Sequence, residues 1–257
     1  GALGLGWLIV WHLVYHTPEQ HPRITPEELA YIQRGRGSTT ESGHAGGPAF
    51  TWPVLLGYRP TWGIVLGRFL LDPYWFLVAD WFAVYLASKG FQLEQSVLGF
   101  WAPFLAADLG NFFGGGLSSF WIRRGWPVGR ARRTVLLIFG PSMLLLIPAA
   151  FTSDYVVVLL LFAYASFAYA ACSTMFLSLP ADVFHTRAVA SVSGLAGTGA
   201  GIGVLISTYL IGRVTDRFSF QPVIVAASIL PCVATMFFVS LVRERKPPDP
   251  RGILLNF

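Results

Sequence analysis

Asp108 is the residue most in need of explanation. It stands in PFLAADLGNFFGGGLSSFW, residues 103–121, a stretch otherwise aromatic, aliphatic or built of glycine and serine. Asn111, Gly115 and Ser118 follow at three, seven and ten residues, so on a helix they share one face with it. Two chemistries fit that stripe. It is a polar seam packed on a neighbouring helix, with Gly114, Gly115 and Gly116 permitting close approach. Or it is the wall of a cavity, where Asp108 carries a proton or orients a ligand. A carboxylate near the middle of an apolar helix costs about 2.5–3.5 kcal/mol on insertion scales, which favours a role for it.

A second group recurs every four residues: Arg68, Asp72, Phe76 and Asp80. Arg68 and Asp72 have the spacing of an intrahelical ion pair, gating or structural, expected near a helix mouth where arginine can snorkel. Asp80 lies deeper by this reading, with no local cation, and is a candidate for ligand binding or proton coupling. Other constellations are weaker. His12 and His16 are four apart but lack a third metal ligand, and His185 sits beside Arg187 in a short loop. Gly197, Gly199, Gly201 and Gly203 alternate without forming GxGxxG, and no strand precedes them, so a phosphate loop is excluded. Gly197 with Gly201, and Gly199 with Gly203, have the spacing of tight helix packing. Cys172 and Cys232 fall in apolar runs and read as packing residues rather than a disulfide or metal set.

The elements that hold these residues follow from composition. Of 257 residues, 54% are hydrophobic and 12% charged, where soluble domains carry roughly a quarter charged. Residues 134–153, 155–181, 188–212 and 218–242 contain no Asp, Glu, Lys or Arg. Each approaches the roughly 20 residues that span a bilayer as a helix. Residues 64–88 and 96–121 are similar runs broken only by Arg68, Asp72, Asp80 and Asp108. Six membrane-spanning helices are expected. Hydrocarbon imposes helices on such runs, because the backbone must satisfy its own hydrogen bonds there.

Loops alternate sides. All but three of the 18 basic residues, Lys89, Arg213 and Arg217, fall on one set of loops once Arg68 is counted at the helix mouth. That set is therefore cytoplasmic. This asymmetry accounts for the net charge of +5 without nucleic acid. Residues 1–15, GALGLGWLIVWHLVY, are too short to span and read as the end of a preceding transmembrane helix. Residues 16–62 form a central cytoplasmic loop. Within it, Thr25, Pro26 and Glu28 mark the start of a short amphipathic helix reaching about Arg34, with Leu29 and Ile32 inward. GSTTESGHAGG is a flexible linker. Residues 63–242 form the six-helix transmembrane bundle and 243–257 a cytoplasmic tail.

This layout resembles the C-terminal half of a major facilitator superfamily transporter. The segments HPRITPEELAYI, AADLGNFFGGGLSSFWIRRGWP, ARR and LPADVF…VASVSGLAGTGAGIG resemble the anion:cation symporter family, including its hexuronate and galactonate carriers. Two positions depart from the family: Ala83 replaces a proline of the seventh helix, and no acid stands near Ser119 for the superfamily's Gly-x-x-x-Asp-Arg loop.

The resemblance implies an all-α integral protein of the cytoplasmic membrane. It implies a secondary active transporter, without cofactor or enzymatic activity, that takes up a sugar acid or other small organic anion with H+. It also implies that Ser173 and Thr174 of the tenth helix help bind a polyhydroxylated acid; by their residue type alone they could equally bond back to helix carbonyls. Thr198 is the polar side chain among the glycines that could face the ligand. Half of such a cavity belongs to an N-terminal six-helix half outside this sequence, and the family's carboxylate-binding cation lies there, so this chain alone is expected not to transport. A membrane sensor that binds the ligand without moving it would share these helices. A membrane enzyme would need clustered His, Asp or Glu at one membrane edge, where these loops carry mostly arginine.

Overall fold

A computed structural model of the protein describes residues 2–32, 51–91, 97–242 and 253–255. The chain divides into two units, residues 1–49 and 50–257. In the first, α1 (Ala2–Val14) is an apolar helix with exposed side chains. A second helix, α2, covers residues 26–32. The Thr25 hydroxyl accepts from the Glu28 amide at 3.2 Å, the capping bond expected from the sequence, and Leu29 and Ile32 are half-buried. The end of the expected amphipathic helix past residue 32, the linker and residues 243–252 of the tail lie outside the described residues.

The second unit opens with α3 (Trp52–Leu56) and continues as six long helices: α4 (Arg59–Ser88), α5 (Val97–Arg123), α6 (Val128–Ala150), α7 (Tyr155–Val183), α8 (Thr186–Arg217) and α9 (Gln221–Leu241). Local chemistry sets their ends. Pro60 and Pro222 occupy first-turn positions, where the missing N–H costs nothing. The Asp154 carboxylate accepts from the Val157 amide at 3.1 Å and caps α7. Gly90 and Gly125, at φ of 82° and 88°, take the left-handed conformation that turns the chain after α4 and α5. Pro180 lies inside α7, whose last turn continues to Val183. The second part of α6, Met143–Ala150, tightens into 3-10 turns between Pro141 and Pro148, which offer no N–H to an α-helical ladder. In α4, Leu77–Trp81 form a π turn.

Five of the six helices are long and apolar enough to cross a membrane. The other, α5, has 27 residues and sufficient length, but Asp108, Asn111 and its glycines and serines lower its hydropathy. α5 lies along α7, α4 packs on both α8 and α9, and α6 fits against α7 and α9. α4 and α7 supply many of the fully buried side chains, among them Ile64, Leu71, Tyr74, Phe82, Phe162 and Phe176.

Glycines place these contacts. At Gly110 a Cβ would fall on the carbonyl oxygen of Phe167, and at Gly114 it would lie 2.7 Å from the Ala171 Cα, so α5 meets α7 backbone to backbone. Gly199 and Gly203 bring α8 onto Val65 and Phe69 of α4. The expectation for the other pair is corrected: Gly197 and Gly201 meet nothing within 4 Å among the described residues, because they point away from α4. Gly115 and Gly116 likewise are not the close approach; Gly110 and Gly114 are.

Residues 253–255 return to the loop between α7 and α8. Leu254 forms an antiparallel bridge with Phe184; the His185 amide donates to the Ile253 carbonyl and the Leu255 amide to the Val183 carbonyl, each at 2.8 Å. Ile253 is 1% exposed and joins the core. Ile253→Ala is expected to cost about 2 kcal/mol and to lower the melting temperature in detergent by roughly 4–8 °C. An unchanged melt would mean that this segment leaves its place in solution.

Candidate functional site: polar residues within the apolar helices

The polar residues singled out above sit on α4, α5, α7 and α8. On α4, Arg68 grips Asp72 through Nη2 at 2.7 Å and Nε at 3.1 Å, both to Oδ2. The Tyr169 hydroxyl of α7 reaches the other oxygen, Oδ1, at a long 3.4 Å. Asp72 is buried, at 6% exposure, and stands close to the middle of the 30-residue α4. α4 begins at Arg59, earlier than the expected span, so Arg68 and Asp72 lie near the middle of this helix and Asp80 nearer its C-terminal end. Asp80 is exposed in the π turn, with no hydrogen bond or ion pair among the described residues.

Around the ion pair is an aromatic platform that sequence reasoning missed. Half-buried Trp75 stacks on Tyr169 with ring centroids 5.7 Å apart and planes 11° apart, and meets Phe104 of α5 edge-on at 5.5 Å. Tyr74 lies 5.5 Å from Tyr169, and its hydroxyl is held within 3.1 Å of Ser166. The signal available in the sequence was the spacing Asp72–Trp75, one helical turn. The partner rings on α5 and α7 left no local trace.

The second wall is α5 against α7. The Thr174 hydroxyl lies 2.9 Å from Asn111 Oδ1 and 3.0 Å from the Ala170 carbonyl, so its single proton is shared between the cross-helix bond and the helix back-bond. Ser173 is half-buried one turn beyond Tyr169. Asp108 and Asn111 are exposed beside the buried seam of Ala107, Gly110 and Gly114, and Asp108 has no hydrogen bond or ion pair among the described residues. Ser118 leaves the expected stripe. It is buried and accepts from Arg132 Nη1 at 3.1 Å, while Arg132 Nε donates to Asp182 at 2.9 Å. This link joins the ends of α5, α6 and α7. On α8, Thr198 is exposed and bonds back to the Gly194 carbonyl at 3.0 Å, apart from the other candidates. No group of three potential metal ligands occurs among the described residues.

The geometry presents one arginine edge, one aromatic face and several neutral donors and acceptors, all within long apolar helices. That combination suits a small polar anion, and the helices that carry it are those of a multi-pass protein of the cytoplasmic membrane.

The chain belongs to the Major Facilitator Superfamily, whose family model matches residues 1–208 and 128–254. It is 30% identical over 254 residues to the hexuronate transporter of Escherichia coli K12, covering 95% of this chain and 57% of that one. It is 26% identical over 254 residues to the D-galactonate transporter of Escherichia coli O6:H1, covering 96% and 58%. A probable sulfoacetate transporter of Cupriavidus necator is 26% identical over 259 residues, covering 98% and 59%. The chain thus spans just under three fifths of the length of these relatives.

Proposed function

We propose that this chain is the C-terminal half of a secondary active transporter that takes up a sugar acid, such as a hexuronate, together with a proton. The observation that carries the reading is the set of polar and aromatic pairs inside apolar helices: Arg68–Asp72 beside the Trp75–Tyr169 platform, and Asn111–Thr174 between α5 and α7. Binding at the midplane between two half-bundles, followed by rocking around the site, is the mode such a fold permits. A carboxylate substrate needs a cation, and its hydroxyls need neutral partners. Asn111, Ser173 and Thr174 supply the latter, and the exposed acids Asp108 and Asp80 are further candidates for acceptors or proton carriers. Thr198 would contribute only after turning from its helix carbonyl. The names of the relatives support the substrate class.

The test uses the complete gene product in proteoliposomes. Labelled galacturonate or glucuronate is expected to accumulate when the outside is made acidic, and a protonophore is expected to abolish the gradient. Absence of uptake for every sugar acid offered overturns the reading. Saturable binding without uptake would identify a sensor instead.

A further inference from the structure

On the reading of the protein as a sugar-acid carrier, we propose a second site for the sugar acid, separate from the residues described above: a cavity at the ends of α4, α6 and α8 and the start of α9, where Lys89 captures the carboxylate before the substrate moves inward. The cavity has a volume of about 270 Å³, just below the range of sites that take drug-sized ligands, and suits a single sugar ring. It lies at the end of the bundle away from the arginine-rich loops, which the charge asymmetry makes the outer side. Lys89 ends α4 there and is half-buried. Its Nζ donates to the Thr152 carbonyl at 2.6 Å and to the Ala150 carbonyl at 3.3 Å, where α6 ends. An ammonium has three donors, so one remains. Both acceptors are neutral, no carboxylate lines the cavity, and Lys89 makes no ion pair among the described residues. A positive charge partly withdrawn from water and lacking a counter-ion attracts an anion more strongly than a fully solvated one.

The rest of the wall fits a polyhydroxylated acid. Ser88 and Thr215 give their protons to carbonyls of their own helices, at 2.7 and 2.8 Å, which leaves their oxygens as acceptors. Ser219 Oγ accepts from the Gln221 amide at 3.3 Å, so its own proton is available to a ligand. The exposed Gln221 carboxamide adds both a donor and an acceptor. Gln221 also opens α9, a helix of 21 residues whose N-terminal dipole favours an anion. Tyr85 and Phe220, edge-on with ring centroids 5.6 Å apart, supply apolar surface for the C–H face of a sugar. The acids nearby in sequence are committed elsewhere or solvated: Asp154 caps α7, and Asp216 is exposed. A carboxylate, several hydroxyls and an apolar ring face each find a partner here, a set that neither an inorganic anion nor a neutral sugar would use in full. The cation of the central site is expected in the N-terminal half, and Lys89 does not replace it. Its effect is to raise the concentration of the anion at the entrance.

The experiment measures initial uptake of labelled galacturonate against its external concentration. It uses right-side-out membrane vesicles holding the complete carrier, made from cells with no sugar-acid uptake of their own. Lys89→Gln keeps donors for the two carbonyls and removes the charge. It is expected to raise KM roughly three- to tenfold and to change the maximal rate less than about twofold. Lys89→Arg is expected to hold KM near the wild-type value. Raising the ionic strength from about 0.01 M to about 0.15 M shortens the screening length from about 30 Å to about 8 Å. That change is expected to raise the wild-type KM and to leave the KM of Lys89→Gln nearly still. An unchanged KM in Lys89→Gln overturns the site. So does a fall in maximal rate at constant KM, which would leave Lys89 only as a tie between α4 and α6. Should Lys89→Gln not reach the membrane, Gln221→Ala serves: a KM raised about threefold supports the site, and an unchanged one overturns it. A wild type that takes up no sugar acid overturns the carrier reading. Equilibrium binding of labelled galacturonate then decides the site separately, since loss of binding in Lys89→Gln supports it, and equal binding in both proteins, or binding in neither, overturns it.

Discussion

A valine at Gly110 is expected to eliminate the folded protein. The contact it would enter is backbone against backbone: a Cβ at Gly110 falls on the Phe167 carbonyl oxygen, and one turn on, Gly114 lies as close to Ala171. Overpacking costs about 1–3 kcal/mol where side chains can shift. Here a helix would have to move, and α5 and α7 touch along most of their length. The measurement is the amount of monodisperse protein recovered in mild detergent, with Gly201→Ala as the comparison, because nothing lies within 4 Å of that glycine among the described residues. Wild-type recovery of Gly110→Val would show that the two helices do not meet as described. Equal losses in both variants would place the effect outside this contact.

The second large effect is expected at Arg132 and Asp182. Their ion pair joins α6 to α7 at 2.9 Å, and the same guanidinium ties α5 through Ser118. With side chains 15% and 20% exposed, either charge left alone is partly dehydrated. Removing one partner of a fully buried pair costs about 3–5 kcal/mol, and partial solvation reduces this to about 1–3 kcal/mol. Arg132→Met and Asp182→Asn are each expected to melt earlier, and the double variant to lose less than the sum, with a coupling of about 1–2 kcal/mol. Strict additivity would mean that the pair contributes nothing to stability.

The helices were legible because hydrocarbon punishes charge so heavily that the charge-free runs mark the spans on their own. The start of α4 was not: Arg59 reads as a loop residue by its charge, yet with Pro60 behind it the arginine opens a helix. Asn111 and Thr174 were recognisable as polar residues inside apolar runs. Their bond to each other was invisible, because it joins positions 63 residues apart. A separation of 50 residues likewise hid Arg132–Asp182. Among the α8 glycines, periodicity offered two equivalent faces, and only the position of α4 selects Gly199 and Gly203.

The wide turn at Leu77–Trp81 has a mechanical consequence for α4. Before it, the helix is seated against α8 and α9, with Gly63 against Val242, Gly199 against Val65 and Gly203 against Phe69. After it, the Tyr85 hydroxyl donates to the Ala149 carbonyl at 2.5 Å and Lys89 to the Thr152 carbonyl at 2.6 Å, both at the far end of α6. One rod is thus clamped to different neighbours at its two ends, with its least regular hydrogen bonding in between. Bending strain is expected to concentrate in those five residues. The Lys89 end can then swing with α6 while the longer arm from Arg59, carrying Arg68 and Asp72, keeps its seat.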